Sequence, residues 1–147
     1  MAIQCRLGSE RSFLQLTVQS RQFPDHVDFE DGNWLHAGAE VRAGGMTASV
    51  QGEFVRAEEV AGFLADLERM YELLRGEAHF QTMEEWLDLK VGCNPDGTLA
   101  VEGMVLDQPG VGNRLSFALN DLDQTHLPDL IAGLQRVVES FPVVGRR

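Results

Sequence analysis

The chain carries a single lysine, Lys90, and only 12 basic residues against 23 acidic ones, for a formal net charge of −11. Neutralising a phosphate backbone needs clustered Lys and Arg, so neither nucleic acid nor an anionic membrane is an expected partner. Cysteine is equally sparse: Cys5 and Cys93 stand far apart without a CxxC pair and read as two reduced, partly buried thiols. No apolar run approaches the roughly 20 residues of a membrane span. The opening MAIQCRLGSERS has neither an apolar stretch nor a small-residue cleavage site, and the expected location is cytoplasmic.

Motifs for chemistry are missing as well. There is no GxGxxG leading into a helix, no P-loop, no HExxH and no GxSxG, and His26, His36, His79 and His126 are scattered. Gly110-Val111-Gly112 precedes a strand rather than a helix and is no phosphate cradle. The adjacent Glu84 and Glu85 are surface acids of a kind common in acidic proteins. No catalytic residue, cofactor or metal is assigned.

What is present describes one globular domain over residues 1–147, long enough to bury about 70% of its unfolded surface. Residues 143–147, beyond Pro142, read as a short tail free to be disordered. The apolar pattern starts with two half-buried strands, Ile3-Cys5-Leu7 and Leu14-Leu16-Val18, each alternating with polar residues. A polar loop, Arg21 to Asn33, follows. Its acids suggest calcium, but counting back from Gly32 puts Val27 at the first ligand position of an EF-hand, and that reading fails.

Two turns fix two registers. A tight turn at Gly44-Gly45 pairs Ala43 with Met46, Val41 with Ala48, Ala39 with Val50 and Leu35 with Phe54 on one face. Arg42 with Thr47, Glu40 with Ser49 and His36 with Glu53 fall on the other, which makes His36 an exposed histidine beside a carboxylate. A turn at Cys93 to Thr98 pairs Val91 with Val101 and Leu87 with Val105, and sets Lys90 opposite Glu102. Leu115, Phe117 and Leu119 add a further strand.

Helices are predicted from about Ala57 to Arg75 and from about Thr125 to Ser140. The first presents Val60, Phe63, Leu64, Leu67, Met70, Tyr71 and Leu74 on one stripe, with Gly76 as its terminator. The second tolerates Pro128 in its first turn and presents Leu130, Ile131, Leu134, Val137, Val138 and Phe141. Some seven strands and two one-faced helices predict an α+β domain: one antiparallel sheet of meander hairpins with both helices packed on its apolar face.

In that order, Asn33-Trp34-Leu35, Met70 to Ala78, Glu84 to Leu89, Leu115-Ser116-Phe117 and Asp123 to Pro128 resemble the WapI-type family of bacterial immunity proteins. The resemblance runs from about Asp31 to Pro142. It implies a small cytosolic protein that binds the toxic domain of a contact-dependent toxin, in the founding case a nuclease acting on tRNA. It brings no catalytic residue.

Acidity by itself means solubility or a docking surface for something basic. Joined to the resemblance, it points to a non-enzymatic immunity module whose partner is a basic toxin domain. The alternative is an accessory or small-ligand-binding domain that uses a curved sheet rimmed by Gly110 to Asn113. The candidate partner-binding residues are Asp25, Asp28, Glu30 and Asp31, together with Trp34. In the Gly-Gly register Trp34 lies opposite Val55, either as an exposed aromatic anchor flanked by acids or as an edge tryptophan shielding the core.

Overall fold

A computed structural model describes residues 2–108 and 111–146. Among them the α+β class and the meander hairpins are as expected, but the strands form two four-stranded antiparallel sheets rather than one. The first sheet runs in chain order through β1 (Ile3–Gly8), β2 (Ser12–Arg21), β3 (Trp34–Ala43) and β4 (Met46–Arg56). The second runs through β5 (Gly76–Gln81), β6 (Leu87–Cys93), β7 (Leu99–Leu106) and β8 (Arg114–Leu119). A four-residue helix, α1 (Phe29–Gly32), lies inside the segment expected to be all loop. The long helix α2 (Ala57–Leu73) connects the sheets, and a 3-10 turn, Gln124–His126, leads into α3 (Leu127–Ser140).

Both predicted turns hold their registers near the loop. Ala43↔Met46, Val41↔Ala48 and Ala39↔Val50 pair as expected, as do Val91↔Val101, Leu87↔Val105 and Lys90↔Glu102. Further from Gly44-Gly45 the register shifts, because β4 contains one extra residue between the pairs Ala37↔Gly52 and Leu35↔Val55. Leu35 therefore faces Val55, not Phe54, and Trp34 faces Arg56, not Val55. A bulge bends its strand and re-aims the side chains beyond it. Here it leaves Phe54, Val55 and Arg56 buried in succession.

The helices close the two sheets over one apolar core: α3 packs on β1, α2 on β5, and the helices on each other. Val60, Phe63, Leu64, Leu67 and Met70 are buried as the stripe predicts. Tyr71 and Leu74 are 41% and 43% exposed instead. The helix stops at Leu73 and Leu74 itself turns left-handed (φ 51°), so this last turn projects past the core and the stop comes before Gly76. Gly76 opens β5, which the sequence hid because GEAHFQ buries just Ala78 and Phe80. In α3, Leu130, Ile131, Leu134 and Val137 are buried, and Val138 and Phe141 pack at the margin. The rim expected at Gly110 to Asn113 includes Gly110, which lies outside the described residues.

Candidate functional site

Asp28 sits in extended backbone at the N-cap of α1, and its Oδ2 accepts the Asp31 N–H at 2.8 Å. Capping of this kind satisfies one of the amides that a helix start leaves free. It also holds the Asp28 carboxyl below the usual carboxylate range, with a smaller contribution from His26. His26 Nδ1 lies 3.4 Å from Asp28 Oδ1 and 3.9 Å from Asp31 Oδ2. Asp25, Asp28, Glu30 and Asp31 are all exposed, and the turn points four carboxylates at solvent.

Beneath this turn lie its supports. Arg56 is 3% exposed, and its fork donates to Glu30 O at 2.8 Å and to Phe29 O at 2.6 Å. Its Nε donates to Glu58 Oε2 at 2.5 Å, which pairs the buried charge. A planar, weakly hydrated guanidinium suits such a place better than an ammonium. Arg21 donates to Gly32 O at 2.7 Å and also to Pro142 O. Asn33, fully buried, donates to Phe29 O and to Val144 O, both at 3.0 Å, and accepts the Val144 N–H at 2.9 Å. The carbonyl end of α1, where the backbone dipoles leave negative partial charge, is thus met by two arginines and an asparagine amide.

Trp34, the candidate aromatic, is half-buried, with the Arg56 guanidinium 4.7 Å from its ring centroid and Phe29 on the same cation at 5.2 Å. The four candidate acids are exposed along the segment from Asp25 to Asp31, with Asp28 and Asp31 drawn together at His26, and Trp34 packs on the Arg56 guanidinium that holds this segment. Sequence reasoning missed Arg56 and Asn33. One signal was available for Arg56: Glu59, three positions on, returns its Oε1 to the Arg56 N–H at 2.8 Å, as the third residue of a helix start often does.

The same Glu59 carries its other oxygen to the Met83 N–H at 2.7 Å and so ties the start of α2 to the β5–β6 turn. Burial pushes its carboxyl up to about 7 against those two N–H bonds. The histidines stay apart from one another, each with a carboxylate: His36 with Glu53 at 2.8 Å, as expected, His79 with Asp88 at 2.7 Å and His126 with Asp123 at 3.4 Å. Cys5 is fully buried, and burial pushes its thiol up to about 12, which leaves it a packing group at neutral pH. Cys93 is likewise free and buried.

His26, Asp28 and Asp31 each offer one ligand atom within 4.8 Å of the others. They are the residues among the described ones that could approach a cation together, but they are open to solvent, and Asp28 Oδ2 is engaged in the cap. A groove of about 390 Å³ crosses the outer face of the second sheet between Glu77, Lys90 and Glu102, where the cross-strand pair Lys90↔Glu102 lies.

A comparison with family profiles places this architecture. The profile of the immunity protein WapI-like family matches residues 5–142. The chain belongs to this family. The match takes in the end of β1 and all of β2, so the likeness starts well before Asp31, where the ordered motifs began. Immunity is therefore the function that the family supports. No curated protein and no solved structure matches the chain.

Proposed function

We propose that this protein neutralises a cognate toxin domain by binding it, with the turn from Asp25 to Asp31 laid over a basic active-site surface such as that of a nuclease. The observation that carries the reading is four exposed carboxylates on a turn held from below by Arg56, Arg21 and Asn33, in a member of an immunity family with a net charge of −11. Acidic groups held in place attract a basic partner at long range and mimic the charge of the substrate they displace. The reading needs no catalysis, cofactor or metal, and it places the protein in the cytoplasm, where a nuclease toxin would act.

Trp34 enters this reading as the floor of the turn. Covered by Arg56, it contributes by holding the acids rather than by reaching the partner. The test is co-expression with the cognate toxin domain, scored as growth. Rescue by the parent chain, weakened by joint Asp28→Asn, Glu30→Gln and Asp31→Asn, is the expected result. Absence of rescue by a well-folded parent chain would overturn the reading and favour an accessory or ligand-binding role.

A further inference from the structure

Beyond α3 the chain turns back over α1. Pro142 O accepts from Arg21, whose other nitrogen holds Gly32 O. Val144 exchanges both amide bonds with the side chain of Asn33, a pairing between residues 111 positions apart. At Gly145 the backbone is left-handed (φ 71°), and a Cβ there would come within 2.4 Å of Phe29 N and 2.8 Å of Asp28 C. The tail is therefore fitted against the acidic turn by three successive contacts, and only glycine has room at the last.

The same corner gathers exposed apolar side chains. Val27, inside the acidic turn, is 78% exposed, Phe23 36% and Val143, beside the Asn33 clamp, 43%. Phe23 lies against His26, with ring centroids 5.0 Å apart, and so joins the carboxylate cluster through that histidine. Isolated exposed valines need no explanation, but apolar groups set among charges on one rigid corner have the make-up of a protein interface.

We infer that the docking surface is a composite of the acidic turn and the C-terminal tail, with Phe23, Val27 and Val143 as its apolar contacts and Asn33 as the positioning residue that clamps the two segments together. The occupant that fits is a basic protein surface with apolar groups between its cations, which on the proposed function is the toxin domain. The carboxylates of Asp25, Asp28, Glu30 and Asp31 supply the charge complementarity, and the clamp fixes the apolar groups before the partner arrives, which lowers the ordering cost of binding.

Two measurements test this. Amide hydrogen exchange on the free protein should show the Val144 N–H protected in the parent and exchanging at least tenfold faster in Asn33→Ala and in Gly145→Ala. Titration calorimetry with the cognate toxin domain should show the dissociation constant of the joint Val27→Ser and Val143→Ser variant raised about fivefold or more. Both valines are exposed, so the variant keeps its fold. A Val144 amide exchanging freely in the parent would overturn the clamp. Binding within twofold of the parent by the valine variant would overturn the composite surface while leaving the immunity reading intact. If the parent itself does not bind, the proposed function and this docking role fall together.

Discussion

Arg56 stacks over Trp34 while its fork holds two carbonyls of α1, so one buried cation joins the end of β4, the start of β3 and the acidic turn. Removing it takes the partner from Glu30 O and from the Glu58 carboxylate at once and leaves Phe29 O to the Asn33 amide alone. Arg56→Ala is expected to cost about 3–5 kcal/mol, the usual loss when one partner of a buried pair is deleted. Arg56→Lys should recover little of it, because an ammonium cannot span both carbonyls. Urea denaturation midpoints check this, and a loss under about 1 kcal/mol for Arg56→Ala would contradict the support assigned to that residue.

The bulge explains why this junction was not legible in the sequence. The Gly44-Gly45 turn sorts apolar from polar pairs correctly as far as Ala39↔Val50, because every pair there obeys one alternation. One extra residue in β4 leaves no mark on composition, yet it exchanges Val55 for Arg56 opposite Trp34 and puts a charge where the pattern reads as surface. Distance along the chain hid Asn33 and Val144 in the same way, since no local rule pairs an asparagine with a residue 111 positions later. Legible from the start were the two long helices, both hairpins and the acids themselves. These depend on periods and turn residues within a few positions of one another.

Glu59 gives the fold a pH dependence of known sign. Burial raises its carboxyl from 4.5 to about 7 in the folded protein, with Glu58 pushing the same way and the N–H groups of Arg56 and Met83 opposing. Between those values the folded state holds a proton that the unfolded state has released. This group's contribution to stability therefore falls as pH rises from 4.5 to about 7 and is level above that. Glu59→Gln should flatten this part of the profile in urea titrations at stepped pH. A variant with the parent's slope through that window would show that another group is responsible.

The stripe of α2 can be tested face against face. Leu67 is fully buried, so Leu67→Asp places an unpaired carboxylate in the core and should unfold the domain or cost more than about 4 kcal/mol. Glu68 is exposed and accepts one bond from Gln135 at 3.2 Å, so Glu68→Ala should change stability by no more than about 0.5 kcal/mol. Thermal melts of both variants decide it. Similar small shifts for the two would mean that the buried face has been assigned wrongly.

The central claim is that the acidic turn captures a basic toxin domain. It is tested most directly by association and dissociation rates against that domain at low and high salt, for the parent and for the joint Asp28→Asn, Glu30→Gln and Asp31→Asn variant. Long-range attraction acts on encounter, so the variant should associate about tenfold more slowly at low salt, with its dissociation rate changed less than twofold. At high salt the parent should slow toward the variant as screening removes its advantage. Association that is independent of salt and the same in the two proteins would contradict the claim and move the contact surface away from this turn.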